Sequence, residues 1–174
     1  MTSLLRTAAL GLAAGAAATY AKTKAEVTLQ PLAERVLPPS AAAEQRPGAD
    51  PTGHPERMPP AELVDRALRA TTGEAASTQQ RTQGSTWLHR GMGVGFAVVY
   101  ALASERAWPL RLGAGAPAGL ALYGLTHAST LPAAGLQPPL RELPRAALVW
   151  EPGSHVVYGV VLETTLRLLG RERG

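Results

Sequence analysis

The chain has 174 residues, no cysteine and a formal net charge of +4. That length suits one domain, and the missing cysteine excludes disulfides, thiolate metal sites and cysteine nucleophiles. The sequence pI near 10.0 raises nucleic acid as a partner. No dense Lys/Arg run exists, however, and many basic residues flank apolar segments as in membrane proteins, so that partner is rejected.

A mean hydropathy near zero hides a partition. Residues 22–83 are polar, and most of the rest is apolar with short charged breaks. Ala, Gly and Leu dominate the apolar parts, and there is one Phe. Small side chains bury little apolar area in water, but they let helices pack closely in lipid.

The first apolar segment covers about residues 4–21 and is broken only by Arg6. A cleaved signal peptide is the competing reading. The helical pattern continues through Lys22 and Glu26, which favours an uncleaved helix with a charged exit. Residues 22–84 are expected to form an aqueous loop. Pro38-Pro39, Arg46-Pro47-Gly48 and Met58-Pro59-Pro60 are poor helix interiors. Within the loop, residues 61–71 form a short amphipathic helix. Leu63, Val64, Ala67 and Leu68 share one face, and Glu62, Asp65, Arg66 and Arg69 lie opposite. Residues 72–84 read as a linker.

Further apolar segments cover about residues 85–104, 112–131 and 149–169. Each is about 20 residues, the length a helix needs to cross about 30 Å of hydrocarbon. Helices satisfy every backbone group there with so few residues. The expected fold is therefore all-α: a four-helix transmembrane bundle forming a single integral domain over residues 1–174. Trp87, Trp108, Trp150 and Tyr20 fall at or near segment ends, as an aromatic belt would. Gly11/Gly15, Gly91/Gly95 and Gly115/Gly119 are each four apart, a spacing that allows close backbone approach and hints at a homodimer.

Three of the four histidines, His89, His127 and His155, lie in the apolar segments, with Glu151 one turn before His155. Ionisable groups are costly in hydrocarbon and mark candidate sites. Because helix direction reverses at each crossing, these histidines are expected roughly 6–9 Å below one membrane face. Lys22 and Glu26 arrive at that face from the first helix. Glu151/His155, Lys22/Glu26 and Glu163/Arg167 have i,i+4 spacing, which allows side-chain pairing. The cluster, His89, His127, Glu151, His155, Glu26 and Lys22, has three open readings. It locks packing through hydrogen bonds, responds to or moves protons because histidine titrates near neutral pH, or carries a metal or small solute, with three His and one Glu as donors. No compact ligand motif or haem motif accompanies it. Phosphate-loop, Gly-x-Ser-x-Gly and His-Glu-x-x-His signatures are absent, so no catalytic residue and no cofactor are expected, and the chain reads as a non-enzyme.

Four stretches carry a family resemblance: Trp87-Leu88-His89; Gly124-Leu125-Thr126-His127; residues 131–139, Leu-Pro-Ala-Ala-Gly-Leu-Gln-Pro-Pro; and Glu151-Pro152-Gly153-Ser154-His155-Val156-Val157-Tyr158-Gly159. In order and spacing the chain resembles the YagU-like bacterial inner-membrane proteins over about residues 85–170. The first helix with Lys22 and Glu26 is also similar, with extra residues before Pro38-Pro39 and Ser40 in place of a basic residue. The resemblance implies a multi-pass inner-membrane protein linked to acid resistance, with no established substrate; His89, His127, Glu151 and His155 match the family's polar positions. The lipid bilayer is the expected partner. The short basic C-terminus favours termini inside, placing Arg6, Arg106, Arg111, Arg167, Arg171 and Arg173 in the cytoplasm and the long loop outside.

Overall fold

The computed structural model describes residues 2–170, so Arg171 and Arg173 lie outside the described residues. Among the described residues every regular element is helical. The α-helices are α1 (Thr2–Val36), α2 (Ala41–Glu44), α3 (Pro59–Thr72), α4 (Thr78–Arg106), α5 (Ala116–Leu125), α6 (Leu131–Ala133) and α7 (Ala147–Leu168). A π-helical stretch, Thr126–Thr130, joins α5 to α6 without a break. The chain divides into two compact units. The first contains the chain up to Glu26, Arg90–Tyr123 and the chain from Pro152 on; the second contains Val27–His89 and Gly124–Glu151.

Helix α1 runs well past the expected exit at residue 21. Lys22 pairs with Glu26, and the Gln30 amide donates to Glu34 at 2.9 Å, so two i,i+4 pairs support the polar extension. Pro31 lies inside the helix and has no N–H to donate. Packing offsets that loss: Leu29, Ala33 and Leu37 recur every four residues and cover Leu143, Ala146, Ala147 and Trp150. This apolar cluster is the core of the second unit.

The start of α4 also differs from expectation. It begins at Thr78, inside the supposed linker, because Ser77 and Gln80 form a capping box. The Ser77 hydroxyl accepts from Gln80 N–H at 3.2 Å, and the Gln80 side chain accepts from Ser77 N–H at 2.9 Å. The Ser-x-x-Gln signal was present in the sequence. Helix α3 matches its expected span to within two residues, opened by Pro59-Pro60 and closed by Gly73 at φ +78°.

The first unit is built from small residues. A Cβ on Gly11 or Gly15 would meet Val98, Val94 and Ala97 of α4, and one on Gly119 or Gly159 would overlap backbone across α5 and α7. Two of the three expected glycine pairs thus sit at close helix approaches. Gly91 and Gly95 do not, since the space beside them is open; the helix contact is made by their neighbour Gly93, against Thr19. Around these contacts Ala14, Ala18, Ala97, Tyr100, Tyr158, Leu162 and Leu166 form the core, with the Tyr158 hydroxyl donating to Gly93 O.

Helix α1 is long and apolar enough, over Leu4–Val36, to cross a membrane, and it alone among the described helices meets that measure. His89 and Arg90 dilute the apolar stretch of α4, while Glu151, Pro152, His155 and Glu163 dilute α7. The third apolar segment begins inside a 3-10 turn, Trp108–Gly115, and its end is the π-helical stretch Thr126–Thr130.

Candidate functional site

The second unit contains a buried polar centre. His127 lies within the π-helical stretch, where Leu131 N–H reaches back five residues to Thr126 O. The wider turn leaves carbonyls without their ordinary helical donors, and local hydroxyls serve them. Ser129 donates to Gly124 O at 2.9 Å and to Leu125 O at 2.8 Å, and Thr130 also donates to Leu125 O. Single π turns within α-helices recur at functional sites.

His127 Nδ1 lies 2.8 Å from Glu151 Oε1 and 3.1 Å from Gln137 Oε1. The Gln137 amide group donates to His127 O at 2.9 Å, which fixes its own oxygen toward the ring. Nδ1 therefore faces two acceptors and must carry hydrogen. Glu151 is 1% exposed and Gln137 5%. A carboxylate so buried is costly unless paired, so the His127 contact offsets a large desolvation cost. Gln137 also meets the loop: a Cβ on Gly48, at φ +81°, would come 3.1 Å from its Oε1.

The remaining predicted residues divide between the units. His89 is half-buried on α4 in the second unit. His155 belongs to the first unit, buried, with its ring edge-on to Tyr123 at 5.5 Å. Lys22 and Glu26, also in the first unit, form the expected i,i+4 ion pair, and Lys22 is buried. The structure brings Glu151 to His127, a partner 24 residues away in the chain that the spacing did not suggest. Glu163 pairs with Arg167 at 2.7 Å as the spacing allows, and it also accepts from Tyr100 at 2.9 Å, which the sequence did not reveal. Gln137 was missed as a site residue, although it stands in the turn that carries the family resemblance. Among the described residues no group of three or more His, Asp or Glu is placed to hold a metal ion.

Two carboxylates organise the polar loop of the second unit. Asp65 on α3 accepts from Arg69 at 2.8 Å, from Ala76 N–H at 2.8 Å and from Arg81 at 3.2 Å. The Arg69 hydrogen bond, with help from Ala76 and Arg81, lowers its pKa to about 2. Asp50 accepts from Gly53 N–H at 2.8 Å and from Gln30 at 2.7 Å. Burial opposes its ionisation, but the bonds from Gly53, Gln30 and Thr52, with the charge of His54, prevail and lower its pKa.

An all-helical chain with buried, paired ionisable groups is thus in view. It belongs to the family described as protein of unknown function (DUF1440), whose model matches residues 25–164. That match takes in His89, His127, Gln137, Glu151 and His155. No curated protein and no solved structure matches the chain.

Proposed function

We propose that the chain is a multi-pass protein of the bacterial inner membrane, and that its buried His127–Glu151 pair responds to protons and contributes to acid resistance. The pair at 2.8 Å on a π-helical stretch carries the proposal. Histidine is the side chain whose ordinary titration brackets neutral pH. With Nδ1 held by two acceptors, a proton gained at Nε2 turns a neutral ring beside Glu151 into an imidazolium. The charge of the pair changes while its contact geometry stays in place, as a sensor requires.

The distribution of exposure supports the membrane setting. Between residues 91 and 103 every exposed position of α4 is apolar: Gly91, Met92, Gly95, Val99 and Ala103. On α1, exposed Leu12, Ala13, Ala16, Ala17 and Tyr20 alternate with buried Thr7, Thr19 and Lys22. Polar groups inward and apolar groups outward is the arrangement lipid imposes. On this reading α1, α4, the helical run of residues 116–133 and α7 are the four spans, and the chain has no enzymatic activity.

Packing is the second reading, favoured by the Gln137 amide that ties the His127 carbonyl to the following turn. Histidine-selective 15N NMR on the full chain in micelles tests the first reading. The expected outcome is an Nδ1–H tautomer at His127 whose Nε2 signal shifts on acidification. A signal constant throughout an acid titration, with His127→Gln destabilising the fold equally at every pH, leaves the packing role alone. In cells, a deletion strain should recover internal pH more slowly after an acid shift, and equal recovery removes the link to acid resistance.

A further inference from the structure

We infer that the first unit carries a basic, tryptophan-bearing collar that binds the anionic phospholipid headgroups of one bilayer leaflet. It rests on the membrane reading above but does not involve the His127–Glu151 pair.

The collar forms where the end of α4, the turn Trp108–Gly115, the end of α7 and the start of α1 are tied together. The Arg111 guanidinium donates to Ser104 O at 2.7 Å, and Arg167 donates to Arg111 O at 3.2 Å. Arg6 donates to Gly170 O at 3.0 Å, and Thr7 donates to Glu105. The Tyr100 hydroxyl lies between Glu163 Oε2 at 2.9 Å and Leu110 O at 3.0 Å, within hydrogen-bond reach of both. Four arginines, Arg6, Arg106, Arg111 and Arg167, are gathered by these contacts and by their neighbours in sequence.

Among the described residues the arginines here outnumber the carboxylates four to two. The two carboxylates are Glu163, which is fully buried and paired with Arg167, and Glu105, which accepts from Thr7. The collar therefore presents positive charge. Beside it the turn presents apolar side chains: Trp108 is 65% exposed and Leu112 51%. An aqueous surface gains nothing from that pairing, and a nucleic acid would leave the leucines in water. A headgroup layer satisfies both, with phosphates on the guanidinium groups and the indole and leucines at the acyl boundary. The turn also stays in place. Gly113, Ala114 and Gly115 all have positive φ, and a side chain on Gly115 would overlap Gly159 O, so the turn is fixed against α7.

The test uses the full chain. Membranes are first washed with alkaline carbonate; release of the chain would refute the membrane reading itself. If it is retained, the chain purified in neutral detergent is titrated with phosphatidylglycerol or phosphatidylcholine, and binding is read by the rise in melting temperature. Phosphatidylglycerol is expected to bind more tightly, and each lost arginine is expected to reduce that preference about fivefold. Arg106→Gln is the first variant, because Arg106 is exposed and its loss leaves the ties above intact. Arg106→Lys should restore the preference, and Trp108→Ala should weaken both lipids together. Equal binding of the two lipids, or an unchanged preference in Arg106→Gln, overturns the inference. So does an equal melting shift produced by inorganic phosphate alone, which would reduce the collar to a simple anion site.

Discussion

At the residue scale, pairs within one helix turn were legible and pairs across the chain were not. Lys22–Glu26 and Glu163–Arg167 follow from four-residue spacing on a continuous helix. The same rule suggested Glu151–His155; it gave no sign of the contact between Glu151 and His127. Sequence spacing reports only which groups share a helix face; it carries no information about what another segment brings to that face. Glycines show the same division. Spacing marked Gly115 and Gly119 for close approach, and their surroundings bear this out, yet Gly91 and Gly95 have identical spacing and open space. Substitution separates the two. Gly119→Ala places a methyl group on the His155 carbonyl and should cost about 1–3 kcal/mol or more, measured as a lower denaturation midpoint. Gly95→Ala adds a methyl group in open space within α4 and should gain about 0.5–1 kcal/mol from the reduced freedom of the unfolded chain. Equal effects at the two positions would contradict the observed packing.

At the element scale, the apolar pattern located the long helices, and local polar chemistry set their ends. The expected loop at residue 22 is helix up to Val36 because the Lys22–Glu26 ion pair, the Gln30–Glu34 hydrogen bond and the Trp150 contact outweigh Pro31. The linker at residue 78 is helix because of the Ser77–Gln80 box. The π-helical stretch at His127 left no readable pattern, since it arises from a packed site and Ser/Thr hydroxyls that serve many other roles. Helix α3 was legible as an amphipathic element, but its clamp was not: Arg81 of α4 reaches Glu62 at 3.0 Å and Asp65 at 3.2 Å. The clamp predicts an acid response. The Asp65 pKa drops from an ordinary 3.8 to about 2 on folding. Ionised Asp65 therefore stabilises the fold fully above about pH 4, and that contribution disappears as pH falls through 2. Amide protection in α3, taken relative to the intrinsic exchange rate at each pH, should fall between about pH 4 and 2. Asp65→Asn should exchange faster at neutral pH and lose that acid-dependent step. A step of unchanged size in the variant would assign it to another carboxylate.

At the scale of the whole molecule, the question is how many helices cross the bilayer. Mean hydropathy singles out α1, whose 35 residues make a rod of roughly 50 Å, longer than the hydrocarbon layer. An average over a helix counts every side chain alike, whereas lipid meets only the outward ones. Glu151 and Glu163 lower the average of α7, yet they are 1% and 0% exposed, one against His127 and the other paired with Arg167, so neither charge lies on its outer surface. On α4 the diluting residues His89 and Arg90 sit before the stretch whose exposed side chains are all apolar. The four-span proposal therefore predicts a result that a single span cannot give. With α1 alone in the membrane, a reporter at Gly53 and one after Gly170 report the same side. With four spans, three crossings separate those two positions, and they report opposite sides. Paired alkaline phosphatase and green fluorescent protein fusions decide between these outcomes. The expected pattern is an external signal at Gly53 and an internal one at the C-terminus, following the short arginine-rich end of the chain. Matching signals at both sites would mean no crossing or two crossings between them, and would remove the four-span bundle.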